Sequence, residues 1–143
     1  MSRFRFLGSI MAALVLSQSV LAADLLDANA ASEEAIAAAA DAGTAASIVA
    51  ARPFATIGDL NSLLSASMSE DELETLYSKL FVPINLNTAS EADILLIPGV
   101  GRKMAHEFEE YRPYSSMEQF RREIGKYVDE DEVARLESYV TLD

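Results

Sequence analysis

At 143 residues and without a cysteine, this chain has no disulfide, zinc–thiolate site or thiol nucleophile open to it, so core packing must hold it together. Half of its residues are hydrophobic, enough for one compact unit or two small ones. Eleven Lys and Arg stand against 23 Asp and Glu, a net charge of −12, which excludes a basic surface overall and leaves only a local patch for any polyanion.

The N-terminus reads as a targeting segment. Arg3 and Arg5 open it, Leu7 to Leu16 is an apolar run broken only by Gly8 and Ser9, and Val20-Leu21-Ala22 ends on a small residue. That is the pattern of a signal peptide over residues 1–22 with cleavage after Ala22, an uncleaved anchor being the alternative. The run is about half the length of a bilayer-spanning helix. The expected location is therefore periplasmic or secreted. Without Arg3 and Arg5, nine cations face 23 acids, a net charge of −14.

From residue 23 onward one unit is written twice, over 23–83 and 84–143. Asn29-Ala30-Ala31-Ser32-Glu33 echoes Asn87-Thr88-Ala89-Ser90-Glu91, and Arg52-Pro53-Phe54 echoes Arg112-Pro113-Tyr114. Ser69-Glu70-Asp71-Glu72-Leu73 likewise echoes Asp129-Glu130-Asp131-Glu132-Val133. Stacked helical repeats bury a core that neither could build alone. Capping-box patterns start helices at Thr56-x-x-Asp59, Ser69-x-x-Glu72, Ser90-x-x-Asp93 and Ser116-x-x-Gln119. Apolar triples at helical spacing follow: Ile57/Leu60/Leu64, Leu73/Leu76/Leu80, Met117/Phe120/Ile124 and Val133/Leu136/Val140. Pro83 to Thr88 reads as an extended connector, and no sheet is expected.

The two units differ at their first helical corner. From Ala28 to Ala51, 13 of 24 residues are alanine, and the corner Ala40-Asp41-Ala42-Gly43-Thr44 carries an aspartate that would repel an anion. In the second unit the corner is Leu95-Leu96-Ile97-Pro98-Gly99-Val100-Gly101-Arg102-Lys103. Pro98 cannot extend the helix before it, and both glycines can adopt φ > 0. The next helix opens with unpaired N–H groups at the positive end of its dipole, where an anionic oxygen is stabilised. Arg102 and Lys103 add charge there. Six of the nine remaining cations lie between 102 and 126, against five acids, so that window nets +1.

With Asn85-Leu86-Asn87-Thr88-Ala89-Ser90 before it and Phe108-Glu109-Glu110-Tyr111-Arg112 after it, this corner resembles the helix-hairpin-helix family. The likeness is greatest to the ComEA-like domains of bacterial DNA-uptake proteins, with a degenerate copy over 23–83. The resemblance implies an all-α fold of tandem helix-hairpin-helix repeats, about eight short helices after the signal peptide. It implies that Gly99, Val100, Gly101, Arg102 and Lys103 contact phosphates of double-stranded DNA without reading bases. It also implies a monovalent cation at the carbonyls of Leu95, Ile97 and Val100, and no other cofactor. Arg112, Arg121, Arg122 and Lys126 would add phosphate contacts if the fold gathers them on that side.

No constellation argues for an enzyme. His106, the sole histidine, has only carboxylates beside it and reads as a surface residue. The run Asp129-Glu130-Asp131-Glu132 lacks an EF-hand glycine and reads as helix capping. Tyr111, Tyr114, Tyr127 and Tyr139 read as half-buried anchors. Two functions remain: weak, sequence-independent binding of double-stranded DNA outside the cytoplasm, or a protein-interaction module that has lost DNA binding.

Overall fold

Side chains that accept from backbone amides set all but one of the helix starts in the computed structural model, which describes residues 24–142; the expected signal peptide lies outside the described residues. The order is β1 (Leu26–Asp27), α1 (Glu33–Ala39), α2 (Ala42–Ala51), α3 (Ile57–Leu64), α4 (Glu70–Tyr77) and β2 (Leu80–Phe81). It continues with β3 (Ile84–Asn85), α5 (Glu91–Ile94), α6 (Arg102–Glu110), α7 (Met117–Ile124), α8 (Glu130–Glu137) and β4 (Val140–Thr141). Thr56/Asp59 and Ser69/Glu72 form reciprocal capping boxes. Ser90 and Ser116 cap in one direction only; at Ser116 the Gln119 side-chain Oε1 accepts from Ser115 N–H at 2.9 Å instead.

The class is all-α, with eight helices among the described residues, but two small sheets correct the expectation of none. β1 pairs in parallel with β2, and β3 with β4, so the last residues of each half close on its first. Pro83 to Thr88 is therefore not a bare connector, since Ile84-Asn85 lies against Val140-Thr141. Two-residue strands are too short for any alternating pattern, which is why the sequence does not announce them. Leu80 and Val140 leave their expected helical stripes for the same reason: α4 and α8 end at Tyr77 and Glu137, and the chain turns into a strand.

Matching staples tie each half. Asn29 Nδ2 donates to Phe54 O at 2.9 Å while its Oδ1 accepts from Phe54 N–H at 2.7 Å; Asn87 does the same with Tyr114 at 3.0 and 2.7 Å. Arg52 donates to the carbonyls of Ala28 and Ala31, both at 2.6 Å. Arg112 donates to those of Leu86 at 2.5 Å and Ala89 at 2.7 Å. The peptide bonds before Pro53 and Pro113 are both cis.

One core runs through both halves. Tyr139 stacks edge-on against Phe81 with ring centroids 4.8 Å apart, and its hydroxyl donates to Tyr77 O at 2.8 Å across the seam. Tyr114 and Tyr139 are buried, whereas Tyr127 is 48% exposed, against the expectation of a half-buried anchor. No helix among the described residues is long and apolar enough to cross a membrane.

Candidate functional site

The corner between α5 and α6 is built by an early helix stop. Leu96 N–H bonds to Asp93 O and Ile97 N–H to Ile94 O, both at 3.1 Å, three residues back rather than four, which tightens the last turn. Val100 N–H then donates to Ile97 O at 3.1 Å. The side chains of Ile97 and Val100 are buried and anchor the turn to the core. Gly99 has φ +80°, the one positive φ recorded for the described residues. Gly101 is ordinary extended backbone with φ −95° and ψ 179°, so only Gly99 uses the freedom the sequence offered at both positions. A Cβ on Gly101 would meet nothing within 4 Å. Gly101 thus leaves open space in front of the helix start.

That helix start is uncapped. Gly101 offers no side-chain acceptor, and no described residue accepts from the N–H groups of Gly99, Gly101, Arg102, Lys103 or Met104. The equivalent corner of the first half is closed. There Ala40 and Asp41 alone separate α1 from α2, and Asp41 accepts from Thr44 N–H at 2.8 Å and from Thr44 Oγ1 at 2.9 Å. The backbone bond from Thr44, then its hydroxyl, holds the Asp41 carboxyl below its ordinary pKa. Two helices with the same place in their halves thus present opposite faces: one filled by its own carboxylate, one open.

The cations divide sharply. Arg102 and Lys103 are exposed and have no ion-pair or hydrogen-bond partner among the described residues. Arg112 is spent on its two carbonyls and serves the fold. Arg121 makes a bidentate pair with Glu137 at 2.8 and 2.5 Å, while Arg122 and Lys126 both bond Glu123. Those side-chain hydrogen bonds hold Glu137 and Glu123 below the usual carboxylate range. The four additional cations named from sequence are therefore engaged within the protein.

A fifth, Arg135 of α8, stands at the corner unannounced. Its Nη2 lies 3.2 Å from where a Gly99 Cβ would be. It forms a fork with Glu132 at 2.8 and 2.7 Å and faces the Tyr139 ring at 5.9 Å. Nothing in local sequence links Gly99 to a residue on another helix, so only packing reveals it.

The corner borders two depressions. A cleft of about 820 Å³ runs from Leu95–Gly101 to α3 and α4, with Glu70 and Glu74 on its far wall. A groove of about 570 Å³ is lined by Arg102, Lys103, Met104, His106, Glu107 and Tyr127. Tyr127 shares a 2.7 Å hydrogen bond with Tyr111, which pushes its phenol above the ordinary range, and Lys126 sits 5.2 Å over the Tyr111 ring. His106 is exposed and lies 3.7 Å from Glu110. No cluster of three or more metal-ligating side chains occurs among the described residues. At the three carbonyls named for a monovalent cation, Ile97 O accepts from Val100 N–H, and no described residue donates to Leu95 O or Val100 O.

Residues 79–140 match the helix-hairpin-helix motif, which points to nucleic-acid binding in general. No curated protein and no solved structure matches the chain.

Proposed function

We infer that this is a non-catalytic, extracytoplasmic protein that holds double-stranded DNA weakly and without sequence preference through the Gly99–Lys103 corner. The observation that carries the reading is the open start of α6, with unpartnered amides and unpaired Arg102 and Lys103, beside the Asp41-filled start of α2. A phosphate oxygen would accept from the amides of Gly101, Arg102 and Lys103 while the two side chains meet its neighbours. A monovalent cation at Leu95, Ile97 and Val100 would add positive charge behind the turn. Residues 23–83 act as a degenerate copy that completes the core.

With two free cations, log K should fall against log[salt] with a slope of about −2, and physiological-salt affinity should sit near the weak end of non-specific binding, about 10⁻⁴ M. The test titrates the protein with a duplex at low and high salt. Loss of low-salt binding in an Arg102→Glu/Lys103→Glu variant is expected; binding unchanged by that pair defeats the reading.

One observation favours the alternative, a docking module for an extracytoplasmic protein. Four cations are already neutralised by carboxylates, and Glu70 and Glu74 face the corner across the cleft. Recovery of a stable partner that survives nuclease treatment, together with no duplex binding at low salt, would replace the DNA reading with this one.

A further inference from the structure

The geometry points to Arg135 as a third phosphate-binding cation of the Gly99–Lys103 corner, held back in the wild type by its ion pair with Glu132. This rests on the DNA reading and deepens it. Arg135 belongs to α8, far from the corner in sequence, yet its Nη2 lies 3.2 Å from the position a Gly99 side chain would take. Gly101, which opens the row of free amides, is two residues further, at most about 7 Å along the chain. A guanidinium placed there reaches the same phosphate group or its neighbour, and its planar fork suits phosphate as well as carboxylate.

Two features make the restraint reversible. The Arg135–Glu132 pair keeps 36% of each side chain in water, so salt and a competing anion can reach it. The Glu132 carboxylate is also not the cap of its helix, which Asp129 makes by accepting from the Glu132 backbone N–H at 2.9 Å. The Tyr139 ring beneath Arg135 keeps the guanidinium over the corner when the carboxylate lets go. Arg121 differs, since its partner Glu137 is the less exposed member of that pair and neither lies beside the corner's amides.

Freeing Arg135 adds about one phosphate contact, so the salt slope should steepen by about 0.9. The experiment measures duplex affinity across a salt series for wild type, Glu132→Gln, Glu130→Gln and Glu132→Gln/Arg135→Gln, with thermal melts as a folding control. Glu130 matches the charge change without touching Arg135. Glu132→Gln should bind several-fold tighter with the steeper slope, Glu130→Gln should keep the wild-type slope, and the double variant should lose the gain. A tightening equal in Glu130→Gln, or retained in the double variant, is general charge relief and overturns the proposal. Wild-type binding that Glu132→Gln leaves unchanged overturns it alone, whereas silence from every protein at low salt removes the DNA reading and this proposal with it.

Discussion

Replacing each glycine of the corner by alanine separates its folding role from its binding role. At Gly99, φ +80° forces an L side chain into the left-handed region, at about 1–2 kcal/mol. The new Cβ also meets Arg135 Nη2 at 3.2 Å, close enough that the guanidinium must give way by a few tenths of an ångström. Against this, a stiffer unfolded chain returns about 0.4–1 kcal/mol. The net loss for Gly99→Ala is about 1 kcal/mol, or about 4 °C in Tm for a domain of this size. Gly101→Ala has no such strain, because its backbone is extended and the space around it is empty; alanine is a poorer N-cap than glycine but stiffens the unfolded chain, so stability should change little. Its methyl instead enters the open space beside the start of α6, where the proposed phosphate would sit. Duplex affinity should fall at least tenfold, about 1.4 kcal/mol. Thermal melts and a low-salt duplex titration read the two quantities independently. An alanine at 101 that binds like wild type would refute the amide site, and one at 99 that melts like wild type would refute the conformational argument.

Arg112→Ala, by removing two donors from the Leu86 and Ala89 carbonyls, should cost about 2–3 kcal/mol in urea unfolding, and lysine should not rescue the fork. Duplex binding well below its Tm should be unchanged, because Arg112 serves the fold. Tyr139→Phe strands the Tyr77 carbonyl at the seam and should cost about 1–3 kcal/mol by the same measurement. The carboxyls of Glu123, Glu132 and Glu137 lie below their ordinary pKa because of side-chain hydrogen bonds to Lys126, Arg135 and Arg121 respectively. A depressed acid contributes stability above its unfolded pKa and loses it as pH falls through the folded one. The urea midpoint should therefore drop from about pH 5 downward, less steeply in Arg121→Gln, which has already lost its share. Burial raises the Tyr114 phenol to about 12, so the stability it contributes is complete below about pH 10 and lost above, with phenolate absorbance rising as the chain unfolds.

Local chemistry wrote much of this molecule into its sequence. Serine, threonine and aspartate at the helix starts, apolar residues at helical spacing and the Pro-Gly-Val-Gly corner each act within a few residues, so helix positions and the turn followed from them. The echoes at Asn29/Asn87 and Arg52/Arg112 were legible too, though not their work. Only the folded chain shows those side chains stapling loop to loop. Tertiary structure alone decided which charges remain free, because Arg121 meets Glu137 and Arg135 meets Gly99 through packing between helices, which no local spacing encodes. It decided the two small sheets for the same reason, since backbone pairing between distant dipeptides leaves no side-chain pattern. The difference between an open α6 and a filled α2 stands between the two cases: Asp41 and Gly101 were visible in the sequence, and only their backbone conformations made one a plug and the other a gap.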